Sequence, residues 1–452
     1  MRRDALERDW TKGSTTRNLL SLSWPIIVHE LAFLLGYTID LIWVGKLGPA
    51  SIAGVGIVGI VVMLLMSATW GLNAGTRAMV ARFMGAGNNS DANHIARQAI
   101  VISGAYAIVV SVAGIWFAEP ILNLVGLEAD VVSEGAAYMR VLLAGTTAMS
   151  FWIMNETIMQ ASGDAVTPMK ISIFIRCIHI ALDPFLIFGW WIFPRMGVSG
   201  AALSNVITQS LGMTIGLWFL FTGRTRLRLT LQNFRLDFKL IWRIVKIGIP
   251  ASIMGVQRSL GNLMLAWFIA PFGTFAVAAH SIMQRAEMII FVPSMALGIA
   301  AGVLVGQNLG AHLPKRAEKS GWLAVGIIGV IMLVCSVVAL LWAEDIIRIF
   351  GTEPDLISVA STFLRISAAG YLMLGLTAVM QLCISGAGDT VPPMIISLVM
   401  MWLVQLPLAF LLPRIANLGV YGVRWAIVIG MVVGAVAYII YFWRGRWKRK
   451  KV

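Results

Sequence analysis

Charged side chains are scarce in this 452-residue chain: Asp, Glu, Lys and Arg together make up 12% of it, and hydrophobic residues make up 59%. A soluble globular domain usually carries about twice that charged fraction, so the composition excludes an ordinary soluble domain. Apolar runs such as residues 100–118 and 322–343 approach or exceed the roughly 20 residues that cross a bilayer. Because such runs recur along the chain, the sequence predicts a polytopic, all-α integral membrane protein.

Cysteine is rare, and the motifs of enzyme chemistry are missing. Cys177, Cys335 and Cys383 lie in apolar segments without metal-binding spacing, so we predict small hydrophobic residues that form no disulfide. No nucleophile motif or phosphate loop stands out, which disfavours an enzyme and a pump driven by its own ATP hydrolysis. The first seventeen residues lack the apolar core of a cleavable signal peptide.

The net charge of +14 is unevenly distributed. The basic excess lies in short flanks of hydrophobic segments, including residues 223–243 and 443–451, whereas residues 119–134 and 344–355 are acidic overall. Short loops rich in Lys and Arg stay in the cytoplasm. The pattern therefore predicts a multi-pass protein of the cytoplasmic membrane with both termini cytoplasmic, and it assigns the basic residues to topology rather than to nucleic acid.

Twelve transmembrane helices are predicted, at residues 18–45, 51–79, 95–118, 134–160, 169–190, 197–222, 240–270, 276–306, 319–342, 356–384, 393–413 and 420–443. The central basic segment divides them six and six. The predicted domains are an N-terminal six-helix lobe with a basic tail (1–222), a basic cytoplasmic linker (223–243) and a C-terminal six-helix lobe with a basic tail (244–452).

An internal repeat supports this division. Displaced by 225 residues, the chain matches itself at "GDAVTPMKIS" (163–172) and "GDTVPPMIIS" (388–397), and at Pro25 and Pro250. Each unit has six helices, so both enter the membrane from the same side and the repeats are parallel. Two pseudo-symmetric halves with a cavity at their interface are typical of a secondary transporter. A channel is less favoured because no ring of filter residues is evident.

Two carboxylates interrupt the repeat. Asp40 aligns with Leu265, and Asp183, with a two-residue gap, aligns with Leu406. A charge at bilayer depth costs on the order of 2.5 to 3.5 kcal/mol, so such residues usually face a cavity or a partner. Two acids in one site of low dielectric constant could carry a proton. The alternatives are that Asp40 is wetted near Lys46, and that Asp183 caps a half-helix begun at the next residue.

Other polar residues in the apolar segments are weaker candidates. In the first half the candidate cavity-lining residues are Glu156, Asn155, His179, Tyr37 and Asn205. Glu156 and Asn155 could equally make a helix–helix contact, and His179, one turn before Asp183, could be a packing residue.

In the second half, Glu287 and Arg285 form a candidate polar site. Arg258 is a further intramembrane cation in the same half. The alternative is an Arg–Glu pair that bridges the seventh and eighth helices.

The motifs together resemble the MATE (multidrug and toxic compound extrusion) transporters over nearly the whole chain. The resemblance rests on "SWPIIVHELAFLLGYTIDLIWVGKLG" (23–48), "GDAVTPM" and "GAGDTVPPM", "LDPFLIFG" (182–189), "MGVSGAALSN" (196–205) and "VGQNLGA" (305–311). It implies two six-helix lobes around a V-shaped cleft and secondary-active export driven by H⁺ or Na⁺.

The resemblance also implies roles for particular residues. Asp40 and Asp183 would bind the coupling ion, as in the bacterial and archaeal branch with a cation site in the N-terminal lobe. The metal ion that the resemblance allows at these two acids is Na⁺. Pro25 would mark where the first helix bends as Asp40 is protonated. Members often carry an amide where this sequence has His179. The acids that other branches carry in the seventh helix are missing here, and Glu287 is the candidate substitute.

The sequence thus predicts a monomeric multidrug antiporter that exports hydrophobic organic cations across the bilayer in exchange for H⁺ or Na⁺, with no other cofactor. A lipid or saccharide-lipid flippase of the related superfamily would share the two lobes, but would line its cleft with cationic residues. A membrane enzyme such as an acyltransferase would need a His–Asp or nucleophile motif, for which only His94 is a remote candidate. A major-facilitator transporter would carry a basic signature that residues 82–99 lack.

Overall fold

The computed structural model describes residues 8–47, 49–124, 129–232, 234–350, 353–415 and 418–452. Every regular element within these ranges is a helix, and none of these residues lies in a strand. The predicted all-α class is therefore confirmed.

The first half of the chain forms seven α-helices. In chain order they are α1 (Thr15–Gly45), α2 (Pro49–Gly85), α3 (Asn89–Leu124), α4 (Ala129–Ala144), α5 (Thr146–Ser162), α6 (Val166–Phe188) and α7 (Val198–Thr222). The fourth predicted segment consists of α4 and α5, which are separated at Gly145. A Cβ at Gly145 would overlap the side chain of Val206, so glycine allows α7 to approach closely at this break.

The second half adds eight α-helices. They are α8 (Phe238–Ile269), α9 (Thr274–Gly310), α10 (Pro314–Leu341), α11 (Ala343–Arg348), α12 (Pro354–Gly386), α13 (Val391–Leu398), α14 (Leu406–Ile415) and α15 (Val420–Arg444). The short α11 was not predicted. The eleventh predicted segment comprises α13, a π-helical stretch at Val399–Gln405, and α14.

Helix length and apolar character agree with a membrane location. Nine helical segments among the described residues are each long and apolar enough to cross a bilayer. The remaining predicted segments are α2 with 37 residues, α7 with 25, and the α4–α5 pair with 16 and 17. All twelve predicted segments are thus helical.

The backbone groups into two compact units. One contains Trp24–Ile249, and the other contains Pro250–Val452 together with Thr11–Ser23; they are called the first and second lobe below. Two of the boundaries, those before Trp24 and before Pro250, fall beside prolines inside helices, Pro25 in α1 and Pro250 in α8. A proline inside a helix removes one backbone hydrogen bond, so these are natural points of division within long helices.

The predicted linker belongs to the first lobe, where it is fastened to α3. Arg97 Nη1 donates to the carbonyls of Thr230 and Gln232, both at 3.0 Å. Gln98 donates to the carbonyl of Arg235 at 2.7 Å and accepts from the amide of Asp237 at 3.2 Å. These bonds satisfy the backbone of a segment without regular structure.

Asp237 caps α8, and the last six residues of the predicted linker, 238–243, lie within that helix. Asp237 Oδ1 accepts from the amide of Leu240 at 3.0 Å, and Asp237 Oδ2 lies 3.6 Å from His94 Nε2. The hydrogen bond from the Leu240 amide favours the carboxylate and lowers the pKa of Asp237. His94, the remote enzyme candidate, therefore contacts a helix cap.

Candidate functional site

Asp40, His179 and Asp183 meet inside the first lobe. His179 Nε2 lies 3.4 Å from Asp40 Oδ1 and 3.5 Å from Asp183 Oδ1. One ligand atom from each of the three residues can be chosen so that all lie within 4.8 Å of one another. His179 and Asp183 are four residues apart on α6 and so share one face of that helix, while α1 supplies Asp40. The structure therefore brings the two predicted acids and the predicted histidine together.

The site is largely dry. His179 and Asp183 are fully buried, and the Asp40 side chain is 17% exposed. Neither oxygen of Asp183 accepts a hydrogen bond from the described residues. Two carboxylates this close in a dry site cannot both stay charged without a proton or a cation. The arrangement can therefore bind one or the other.

Asn205 from α7 completes the contacts of Asp40. Its Nδ2 donates to Asp40 Oδ2 at 2.9 Å, and a hydrogen bond of this kind stabilises the charged carboxylate. Lys46, the alternative partner considered for Asp40, places its Nζ 4.3 Å from the ring centroid of Trp43 instead. The predicted candidate Asn205 is thus a direct hydrogen-bond partner of Asp40.

The alternative of a half-helix cap does not describe Asp183. α6 runs without interruption through Pro184 to Phe188, so Asp183 lies within the helix rather than at its start. The proline ring cannot supply an amide donor to the preceding turn, which leaves this part of α6 with one fewer backbone hydrogen bond.

The second lobe shows what the scaffold does without the acids. Leu265 and Leu406, the residues aligned with Asp40 and Asp183, belong to one hydrophobic cluster in that lobe. Both are at least nine-tenths buried. Apolar side chains can therefore fill these two positions in the fold, and the fold does not require the carboxylates of the first lobe.

Arg176 is the site residue that sequence reasoning missed. Its Nη1 donates to His179 Nδ1 at 3.4 Å, so the ring proton of neutral His179 is on Nε2, the nitrogen that faces the acids. The guanidinium lies 4.9 Å from the ring centroid of Phe33 and 5.6 Å from that of Trp152. An arginine in the apolar stretch "IFIRCIH" was the available signal.

The remaining first-lobe candidates lie elsewhere. Glu156 Oε2 is 3.5 Å from His29 Nε2, and Asn155 donates from Nδ2 to the carbonyl of Met213 on α7 at 3.2 Å. Asn155 thus makes a helix–helix contact. Pro25 is buried inside α1. The side chain of Tyr37 lies outside the described residues.

In the second lobe, Glu287 is paired, but with a residue the sequence did not suggest. Arg424 on α15 donates from Nη1 to Glu287 Oε1 at 3.0 Å and from Nη2 to His280 Nδ1 at 3.0 Å. Arg285 is exposed. The expected pair between the seventh and eighth helices is therefore replaced by one between α9 and α15. Arg258 lies 5.6 Å from the ring centroid of Phe291.

Comparisons with known proteins agree with this architecture. The sequence model of the MatE family matches residues 25–185 and 250–411, once in each half. The probable multidrug resistance protein YoeA of Bacillus subtilis is 26% identical over 98% of this chain and 96% of its own length. The FAD transporter of Shewanella oneidensis is 25% identical over 94% of each chain.

A solved structure shows the same fold. A MOP superfamily transporter from Pyrococcus furiosus, described as having a binding pocket of reverse polarity that suggests a different function, superimposes with a TM-score of 0.92. It is 23% identical, and the match covers 98% of each chain.

Proposed function

Because the chain belongs to the MatE family of membrane transporters, we propose that it is a secondary-active multidrug antiporter that exports hydrophobic organic cations by alternating access. The name of the Bacillus subtilis relative supports a drug substrate. The observation that carries the proposal is the buried pair of acids, Asp40 and Asp183, with His179 between them. The protein would act as a monomer in the cytoplasmic membrane, with both termini cytoplasmic.

The mechanism is competition for one charge site. An organic cation from the cytoplasmic side neutralises deprotonated Asp40 and Asp183. After the lobes switch, a proton from the outside neutralises the same acids and displaces the cation. Asn205 holds the Asp40 carboxylate in place through its 2.9 Å hydrogen bond. Arg176 interacts with both aspartates, but its single charge cannot balance two carboxylates. The fully ionised pair without a ligand is therefore unfavourable, and each half of the cycle requires an exchange.

The donor set favours H⁺ over Na⁺ as the coupling ion. Na⁺ is a hard cation that prefers oxygen ligands, whereas imidazole nitrogen suits transition metals. Here a histidine takes the position between the acids, and the guanidinium of Arg176 is hydrogen-bonded to it at 3.4 Å. A fixed positive charge so near the site disfavours a second, bare cation, while a proton can bind directly to a carboxylate.

A flippase for a lipid or saccharide-lipid remains the second candidate because of the second lobe. Arg258 and Arg285 are exposed within the helices α8 and α9, and the nitrogen 3.0 Å from Glu287 Oε1 belongs to Arg424 instead. Intramembrane cations of this kind usually face a cavity or a polar partner, and in a cavity they could bind a phosphate group. The acidic site of the first lobe has no role in that reaction.

Transport in proteoliposomes tests the proposal. Ethidium uptake by wild-type protein is measured with a pH gradient and a sodium gradient imposed one at a time, alongside Asp40→Asn and the control Glu119→Gln. Glu119 is an exposed acid paired with Arg140 at 2.8 Å. We expect transport with the pH gradient alone, its loss in Asp40→Asn and its retention in the control. Wild-type exchange by Asp40→Asn, or movement of a lipid-linked saccharide but no ethidium, would overturn the proposal.

A further inference from the structure

A second acid–histidine pair lies elsewhere in the first lobe. Glu156 of α5 and His29 of α1 are 7% and 6% exposed, and Glu156 Oε2 is 3.5 Å from His29 Nε2. The other oxygen of Glu156 and the other ring nitrogen of His29 have no hydrogen-bond partner among the described residues. A buried carboxyl with this environment is costly as a bare charge. It therefore needs a proton or a compensating cation.

Arg176 lies between this pair and the site at Asp40. A Cβ on Gly36 of α1 would be 2.6 Å from Arg176 Nη1, so the guanidinium lies directly against the helix at that point. His29 and Asp40 are eleven residues apart on α1, or about 16 Å along the helix axis. Gly36 and Phe33, the α1 residues that contact the guanidinium, are in the middle of that interval.

One cation thus serves three acids. Arg176 interacts electrostatically with Asp40, Glu156 and Asp183. The other charged groups near the pair are Glu30 of α1, which interacts with Glu156, and Arg77 of α2, which interacts with Glu30. Since Arg77 compensates Glu30, Arg176 is left to balance Glu156 and the Asp40–Asp183 pair.

The second lobe keeps these contacts without the titratable groups. At the repeat interval of 225 residues, His29 and Glu156 correspond to Met254 and Gln381, and Gln381 Nε2 is 3.4 Å from Met254 Sδ. Likewise Gly36 and Arg176 correspond to Gly261 and Met401, and a Cβ at Gly261 would overlap Met401. The same packing is therefore achieved with a thioether and an amide, so the ionisable groups of the first lobe serve another purpose.

We propose that Glu156 and His29 form a second proton-binding site in the first lobe, coupled to the Asp40–Asp183 site through the shared charge of Arg176. The proton binds to a Glu156 carboxylate oxygen, and His29 stays neutral. When the aspartates are ionised, Arg176 compensates them and Glu156 keeps its proton. When the aspartates hold a proton or an organic cation, the charge of Arg176 is available to Glu156, which releases its proton.

The role of the Glu156–His29 site rests on the proposed function. In the transport cycle this second site keeps the buried charge of the lobe constant while proton and cargo exchange at the Asp40–Asp183 site. Allosteric coupling between two binding sites is reciprocal. Protonation of either site must therefore change the proton affinity of the other by the same factor.

Infrared difference spectroscopy of the full-length protein in liposomes tests the coupling, because protonated carboxyl groups absorb apart from carboxylates and amides. Titrations compare wild type, Glu156→Gln, Asp40→Asn and the control Glu119→Gln. We expect Glu156→Gln to lose one carboxyl band and to shift the titration midpoint of the aspartate band by about one pH unit to lower pH. Asp40→Asn should likewise shift the titration midpoint of the Glu156 band to lower pH, and the control should change neither midpoint.

Several outcomes separate this inference from the proposed function. If Glu156→Gln leaves the carboxyl bands and the aspartate midpoint as in wild type, the second site is wrong. If tetraphenylphosphonium fails to remove the Asp40-dependent band in wild type, the proposed function is wrong instead. Gln381 shows that the scaffold accepts an amide at this position. Should Glu156→Gln nevertheless misfold, His29→Met, which reproduces Met254, must shift the Glu156 midpoint, and an unchanged midpoint would reject the proposal.

Discussion

His179 contacts both acids of the first lobe with one nitrogen: its Nε2 lies 3.4 Å from Asp40 and 3.5 Å from Asp183. Its other nitrogen accepts from Arg176. The imidazole therefore links the two carboxylates to the guanidinium, and the proton affinity of both carboxylates depends on its position.

Replacing His179 should separate two of its roles. His179→Leu removes the Nε2–H that faces the acids, whereas His179→Asn keeps an amide donor. His179 Nε2 is within 3.5 Å of an oxygen of each acid, and a buried polar group left without a partner costs about 1–3 kcal/mol. We therefore expect His179→Leu to slow ethidium–proton exchange about tenfold. His179→Asn should retain most of the rate. Equal rates for His179→Leu and wild type would show that the imidazole is only a packing residue.

Asn205 should control the affinity for organic cations. Asn205→Ala removes the donor to Asp40 Oδ2 and so destabilises the ionised form of Asp40. We therefore expect tetraphenylphosphonium to bind about 10-fold more weakly near neutral pH. The loss should be larger at acidic pH, where protons compete, and smaller at alkaline pH. Asn155→Ala is the matched control: it removes an amide bound to a backbone carbonyl, and should lower thermal stability but not affinity.

Gly36 should be needed for the position of Arg176. In Gly36→Ala the new Cβ would lie 2.6 Å from Nη1 and 2.8 Å from Cδ of that arginine, and the flexible side chain must move. Alanine is favoured over glycine in a helix by roughly 0.5–1 kcal/mol, so thermal stability should change little while exchange falls about tenfold. Gly45→Ala, at a position in the same helix with no atom within 4 Å, should transport normally. Normal transport by Gly36→Ala would contradict the role given to Arg176.

The Arg424–Glu287 pair should be structural. Arg424 is 1% exposed, so Arg424→Leu leaves Glu287 and His280 without their cationic partner, at a cost of about 3–5 kcal/mol. Adding Glu287→Leu should restore part of that loss. Denaturant unfolding in detergent measures both, and Arg285→Leu serves as an exposed control expected to stay within about 0.5 kcal/mol of wild type. If the double variant is no more stable than the single one, the pair is not coupled.

Hydropathy was enough to locate the membrane segments, but not their interruptions. All twelve predicted segments are helical. A segment in the bilayer core has no water to satisfy its backbone N–H and C=O groups, and a helix pairs these groups within the segment. The break at Gly145 and the π-helical stretch Val399–Gln405 depend on how neighbouring helices pack, and no local pattern encodes them.

Asp40 and Asp183 were predictable because each is an ionisable residue in an apolar segment. A carboxylate in an apolar run is conspicuous, and the repeat places Leu265 and Leu406 at the same positions. Arg176 was missed because its role depends on a glycine of another helix. The predicted partner of Glu287 was wrong for a related reason. Arg424 lies 137 residues away in the chain, whereas the predicted pair was confined to the seventh and eighth helices.

Proton release on drug binding to purified protein tests most directly whether cation and proton compete for the Asp40–Asp183 pair. Tetraphenylphosphonium is added to weakly buffered wild-type protein and to Asp40→Asn and Asp183→Asn at the same pH, and the released protons are counted with a pH-sensitive dye. Because two close carboxylates share a proton, we expect roughly one proton per bound cation in wild type and none in either variant. Drug binding that releases as many protons from both variants as from wild type would contradict this competition.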